Sequence, residues 1–466
     1  MDRFGNTFKT VVKPIALILL FFPFQSISIA AASDSDDEIQ ELRKIIEQQQ
    51  SIIDQLLSTQ ERQAQELAEL RTTVNSGDSV VGAGVNDVVD EPYESIETPQ
   101  NEPEVVDTPL HVLPTGARFS MGGHINRAIN IADDGARTDT YHVDSGSVPT
   151  LAYLKAYLPV NEGLTVGGHI EYALQHNSAS LVSQDQQNPG FTTSARNFEV
   201  TIDSKRYGKL WMGRGLMSSF IAVEIDKTQT WRYNIISPGN VSGGLKFVKE
   251  SDGSLSDLTV ASVFIDAEAF NRKDRIRYDS PVFGGFKLSG DFATADSSDV
   301  ALRWNGKLAG LDVSAAVAAQ NNPIEGRVED RIEGGLGVFH NASGVSFTAA
   351  MVDQDYTRAF YEQFGRDEGG NRGYAMRLGW RRNWFELGET RMALDYSDSE
   401  DVLYSRDRAR STGFFISQNI DNWSVEPYFG YRYFDYDAGP DANGLTLEDM
   451  HVWSLGLRMA LDLSVQ

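Results

Sequence analysis

Along the C-terminal three quarters of the chain, large apolar residues alternate with small or charged ones. In Trp453-Ser454-Leu455-Gly456-Leu457-Arg458-Met459-Ala460-Leu461-Asp462-Leu463 every odd position is large and apolar, and the even ones are small or charged. Tyr374-Ala375-Met376-Arg377-Leu378-Gly379-Trp380-Arg381 repeats the pattern, and so does the run from Trp423 to Tyr433. A period of two is the signature of a strand with two unlike faces. It predicts sixteen strands, near 117–131, 147–159, 164–176, 193–204, 208–217, 272–280, 284–293, 299–308, 310–320, 330–341, 344–354, 373–384, 389–398, 409–419, 423–436 and 449–464. A further hairpin at 243–249 and 258–265 belongs either to a long loop or to the sheet, where it would raise the number to eighteen.

In a soluble sandwich the apolar face of each strand is the core. In a transmembrane barrel it faces lipid, and the charged face lines a wet lumen. Trp304, Tyr374, Trp380, Trp423, Tyr433 and Trp453 sit near the ends of the apolar faces, as interfacial girdles require. Short turns carrying Gly, Asn or Asp alternate with long polar loops. The expected fold is therefore an all-β, antiparallel, up-and-down transmembrane barrel over residues 117–466, of a size that encloses an aqueous pore.

Three segments precede it. Arg3, Lys9 and Lys13, the apolar run Pro14–Ile29 and the small residues Ala30-Ala31-Ala32 read as a signal peptide over 1–32. In 33–74, Ile39, Leu42, Ile46, Gln49, Ile53, Leu56, Gln60, Gln63, Leu67 and Leu70 fall at spacings of three and four, a coiled-coil core maintained for about five heptads. Ile at a with Leu at d leans toward two chains, and core Gln residues usually set register or chain number. Residues 75–116 hold five Pro and nine acids with no Lys or Arg, which describes an extended, self-repelling linker.

The formal charge of -25 narrows the partners, since an acidic chain is a poor match for nucleic acid. Its mean hydropathy of -0.32 suits a barrel as well as a soluble protein, because only alternate residues meet lipid. Without cysteine, disulfides and thiolate chemistry are excluded. The seven His residues form no constellation with a nucleophile or an acid–base pair, so neither an enzyme, a metal site nor a cofactor is expected.

Asp274-Arg275-Ile276-Arg277-Tyr278-Asp279-Ser280-Pro281-Val282-Phe283-Gly284-Gly285-Phe286 closely resembles the strand–turn–strand phrase of general Gram-negative porins. Gly208-Lys209-Leu210-Trp211-Met212-Gly213-Arg214-Gly215 is similar to the strand those porins place before their constriction loop. With a coiled coil and an acidic linker ahead of the barrel, the chain resembles DcaP-type porins. That resemblance implies a homotrimer in the outer membrane, sixteen strands per protomer, a periplasmic coiled coil and a preference for small anionic organic acids. The stretch 218–271 departs from the family in length and lacks its usual acidic loop phrase; the chain also ends Leu463-Ser464-Val465-Gln466 rather than on an aromatic residue.

If the apolar parity faces lipid, the opposite parity names the pore-lining candidates Arg275, Arg277, Arg303, Arg377, Arg381, Arg391, Arg432 and Arg458, with Lys155 and Lys287 on the same face. Guanidinium keeps its charge at any relevant pH and binds carboxylate in two-pronged fashion, so such a track points to anion passage. The competing expectation is that these arginines pair with Glu199, Asp279, Asp291, Asp395 and Glu426 and merely stiffen the wall. Trp231, Arg232 and Tyr233 are the candidates for an inward constriction loop. Lipopolysaccharide and the bilayer are the expected surroundings, with peptidoglycan or a periplasmic protein as a partner for the coiled coil. A structural tether and a non-selective pore are the alternative functions.

Overall fold

The computed structural model describes residues 116–220, 222–233, 237–266, 272–324, 327–364 and 369–465. The signal-peptide, coiled-coil and linker expectations lie outside them, apart from Gly116. Nineteen strands occur among the described residues: β1 (Arg118–Asp133), β2 (Thr138–Asp144), β3 (Leu151–Asn161), β4 (Leu164–His176), β5 (Phe191–Ser204), β6 (Gly208–Leu216), β7 (Lys246–Val248), β8 (Leu255–Thr259), β9 (Arg272–Asp279), β10 (Phe286–Ala293), β11 (Ser298–Leu308), β12 (Leu311–Ile324), β13 (Val328–His340), β14 (Val345–Tyr356), β15 (Asn371–Phe385), β16 (Gly388–Glu400), β17 (Arg408–Gln418), β18 (Val425–Asp437) and β19 (Met450–Val465). Each wall strand pairs antiparallel with its neighbour, and β1 closes the ring on β19 through fifteen register pairs from Phe119↔Val465 to Asp133↔His451.

The wall has sixteen positions. β7 and β8 pair only with each other, so the extra hairpin lies in the loop and the eighteen-strand alternative falls away. Its second arm is cut short by a helical turn, α1 (Val260–Val263), which Thr259 and Ser262 cap reciprocally. One wall position is shared. The upper half of β1 pairs with β2 (Arg127↔Asp144 to Asp133↔Thr138) and the lower half with β3 (Arg118↔Tyr157 to His124↔Leu151). Between the two, Pro149 cannot donate to a ladder. The β1 backbone instead meets Thr150, whose hydroxyl accepts from the Asn126 N–H at 3.0 Å.

Turns at one end are short, while loops at the other reach 217–271, a span that includes β7, β8 and α1. Outer-membrane barrels keep short turns in the periplasm and long loops outside. In the middle of the wall the faces are as the alternation predicts: Leu455 is 62% exposed and Ser454 5%. Toward the long-loop end the pattern inverts. On β18 the outer face runs Phe429, Tyr431, Tyr433, then Asp435 and Asp437, while the inner face runs Glu426, Tyr428, Gly430, Arg432, then Phe434 and Tyr436. On β17 Arg408 and Arg410 continue the charged outer rim, Arg408 reaching Asp398 at 2.6 Å. The strands thus project past the apolar band, with charge outside and an apolar cluster within.

That cluster is a core inside the barrel. Tyr233, Val241, Leu245, Phe247, Val260, Val263, Phe264 and Ile265 of the long loop pack with inward residues including Val352, Phe415, Tyr428, Phe434, Met450 and Val452. Part of the inner face is therefore dry, which parity alone does not convey.

Leu457, 49% exposed in the middle of the lipid-facing band, is expected to resist charge. Leu457→Arg should destabilise the folded barrel by ~2–4 kcal/mol, measured by denaturant-dependent refolding into lipid vesicles; a loss below half a kcal/mol would place that face away from lipid.

Candidate functional site

The long loop leaves β6 at Leu216 and turns at once into the barrel. A peptide entering a lumen must find partners for its backbone groups, and the wall supplies them. Asp291 and Asp299 stand directly opposite each other on β10 and β11, both buried on the inner face. Asp291 accepts the Ser218 N–H at 2.5 Å and Asp299 accepts the Ser219 N–H at 2.7 Å, with the Ser218 hydroxyl also on Asp299. The wall bases take the carbonyls. Arg277 donates to Leu216 and Met217, each at 3.0 Å, Arg275 to Leu216 at 3.0 Å, and Arg303 to Phe220 at 2.5 Å and to Ser218.

From this root the loop runs along the inside of β12 to β18. The Lys227 ammonium reaches Ser314 on β12, Thr348 on β14 donates to the Ile225 carbonyl at 3.0 Å, and the Tyr233 hydroxyl meets Ser417 on β17. Tyr233 stacks on Tyr428 of β18 with centroids 4.9 Å apart. The close approach is made by glycine. A Cβ on Gly335 would lie 2.6 Å from the Ala222 carbonyl oxygen, one on Gly337 2.5 Å from that of Ile225, and one on Gly379 1.8 Å from Thr228 Cγ2.

Asp226 shapes the tip. Its carboxylate accepts from the Thr228 N–H at 2.8 Å, the Thr230 hydroxyl at 2.9 Å and the Trp231 N–H at 2.9 Å. Arg377 of β15 completes the set at 3.0 Å and holds Glu224 at 3.2 Å and Asp395 at 3.7 Å. Burial pushes the Asp226 carboxyl up, but Arg377 and the threonine donors outweigh this and hold it below the usual carboxylate range. Trp231 is left 37% exposed, Arg232 is half-buried 3.9 Å from Glu426, and Tyr233 is buried in the inner core.

Among the described residues a cavity of about 970 Å³ lies open between the loop and the wall of β1, β3 to β6 and β9 to β12. Among its described lining residues are eight bases (Lys155, Arg196, Lys227, Arg272, Arg275, Arg277, Lys287 and Arg303) against five acids (Glu171, Glu199, Glu224, Asp226 and Asp279). All eight arginines named from parity lie on the inner face, but their surroundings differ. Arg275, Arg277 and Arg303 border the cavity. Arg275 is paired with Glu199 at 2.7 Å and Arg277 with Asp279 at 2.8 Å. Arg377 and Arg432 are buried, Arg432 on Asp395 at 2.7 Å. Arg391 and Arg458 share Glu426 at 2.9 and 3.0 Å, and Arg381 lies 4.4 Å from the centre of the Phe339 ring. Four of the five acids expected to pair do so; Asp291 serves the loop instead. Lys227, Arg196 and Arg272 escaped the sequence reading because Lys227 lies in the loop, Arg196 at a bulge where the β4–β5 register shifts, and Arg272 at the first residue of β9 on the parity opposite to Arg275 and Arg277.

The Gram-negative porin family profile matches residues 115–439. No curated relative matches the chain. Among solved structures, the anion-selective porin from Comamonas acidovorans shares 16% identity, with 74% of this chain and 99% of that one covered and a TM-score of 0.50. In-vitro folded OmpT of Vibrio cholerae gives 12%, 74%, 97% and 0.48, and the outer membrane channel DcaP of Acinetobacter baumannii 12%, 74%, 97% and 0.45. The first of these likenesses bears on the fold.

The seat of the loop is open to test at Gly379. Gly379→Val should displace Thr228 from the wall and raise the single-channel conductance, while the heat-modifiable gel shift of the folded barrel persists. An unchanged conductance would mean that the loop does not narrow the lumen.

Proposed function

This chain belongs to the Gram-negative porin family, and from that premise we propose that it is a passive diffusion pore favouring small anions such as organic acids. The family makes it an outer-membrane channel rather than an enzyme; the preference is the part that needs support. The observation that carries it is the charge of the cavity lining, eight bases to five acids in a protein whose total is acidic. Lys155, Lys227 and Arg303 make no ion pair among the described residues. An uncompensated cation at a constriction attracts anions over the few ångströms where water and salt screen least. Arg303 cannot lose its proton, so the attraction does not depend on ambient pH.

A homotrimer within a bilayer faced by lipopolysaccharide fits the family and the apolar outer band. The heptads of 33–74 support a second, compatible role: a periplasmic coiled coil that tethers the barrel to peptidoglycan or to a periplasmic protein. The heptad pattern leans toward two chains and the resemblance toward three, and a trimeric barrel would favour three.

Two measurements bear on these proposals. In planar bilayers under a KCl gradient the reversal potential should take the anion-selective sign, and Lys155→Glu combined with Arg303→Glu should move it toward the cation side. A cation-selective wild-type channel would overturn the preference and leave a general porin. Deleting 33–116 should abolish co-sedimentation with cell wall at unchanged conductance; retained sedimentation would remove the tether.

A further inference from the structure

A constriction loop that carries Glu224, Asp226, Lys227 and Arg232 could present either sign to the lumen. Their surroundings decide which. Both residues border the cavity, but their carboxylates are buried, 5% and 0% exposed, and Arg377 lies 3.2 Å from Glu224 and 3.0 Å from Asp226. Lys227 points the other way, to Ser314 beside the cavity. Asp395 does not compete strongly for Arg377, since it lies 3.7 Å away and is itself held by Arg432 at 2.7 Å. Asp226 is fixed further by the Thr228 and Trp231 N–H groups, so its carboxylate cannot swing into the lumen without unmaking the tip.

We propose that Arg377 is the positioning residue for ion selectivity: by holding Glu224 and Asp226 against the wall it withdraws two negative charges from the lumen and leaves the loop to act through Lys227. The proposal deepens the anion-preferring reading and rests on it. The Arg377 side chain is itself buried and does not border the cavity. Its effect follows from pairing, because two carboxylates deprived of their cation must take up water, protons or mobile cations, and each of these draws positive charge toward the lumen. A role in stiffness alone would show differently, as changed conductance and noise at constant selectivity.

The test is the reversal potential of reconstituted channels under a KCl gradient at neutral pH and at pH 8, with open-channel noise recorded alongside. Arg377→Gln should shift the potential toward the cation side, most clearly at pH 8, and adding Glu224→Gln to it should reverse part of that shift. Glu224→Gln alone should move the potential toward anions by less than Lys227→Gln moves it toward cations. Arg377→Gln with greater noise and an unmoved reversal potential would overturn the proposal. So would a Glu224→Gln channel that shifts as far toward anions as Lys227→Gln shifts toward cations, and this arm needs no folding of the arginine variant. If the wild-type channel is cation-selective, the anion preference fails by itself, whereas the direction of the Arg377→Gln shift still judges the role of the arginine.

Discussion

A bilayer interior offers a backbone amide no partner except another strand, and this constraint organises everything else in the molecule. The β1–β19 closure removes the last open edges, and the β2/β3 split is tolerated because Thr150 and Asn126 satisfy the gap. Once the wall is closed, each strand has one face for lipid and one for whatever the barrel holds. The same accounting governs the loop inside. Its first carbonyls and N–H groups are taken by Arg275, Arg277, Arg303, Asp291 and Asp299, so charged wall residues act as backbone partners before they act on any solute.

The interior divides by wetness. On the β13 to β19 side the loop and wall share an apolar core, and buried charges there are held by close pairs such as Arg331–Glu333 and Arg432–Asp395 or, for Asp407, by backbone N–H groups and the Tyr436 hydroxyl, because an unpaired buried ion costs several kcal/mol. On the opposite side Lys155, Lys227 and Arg303 border the cavity without an ion pair among the described residues. Arginine suits the dry side for the same reason that it suits the loop root: its planar fork fills several acceptors at once, as Arg377 does for three acids.

Sequence patterning made the wall legible because lipid imposes one demand on every strand, visible from Leu455 to Leu461 or from Tyr374 to Trp380. It missed β2, where Tyr141 and Val143 point inward and Thr140 and His142 outward, the reverse of the membrane rule. That strand lies at the long-loop end, against the inner core. The dry half was hidden for the same reason. Parity assigned eight arginines to the inner face, but it names a face and not a neighbour. Whether Arg303 borders the cavity or Arg432 lies buried depends on where a loop of some fifty residues runs, and no period encodes that path. A weak trace existed in Glu333-Gly334-Gly335-Leu336-Gly337, whose inward glycines mark the close approach of another backbone.

The acidity of the whole chain and the basicity of its cavity are compatible, because the two act over different distances. At physiological ionic strength a surface charge is screened beyond ~8 Å. Rim pairs such as Arg372–Asp353 and Arg408–Asp398 are neutralised locally as well. A solute inside the cavity meets side chains at contact range across low-dielectric walls, where each uncompensated charge counts for far more. What a solute in the cavity meets therefore depends on how the lining side chains are paired rather than on the net charge of the chain. Net charge governs the surface; pairing governs the pore.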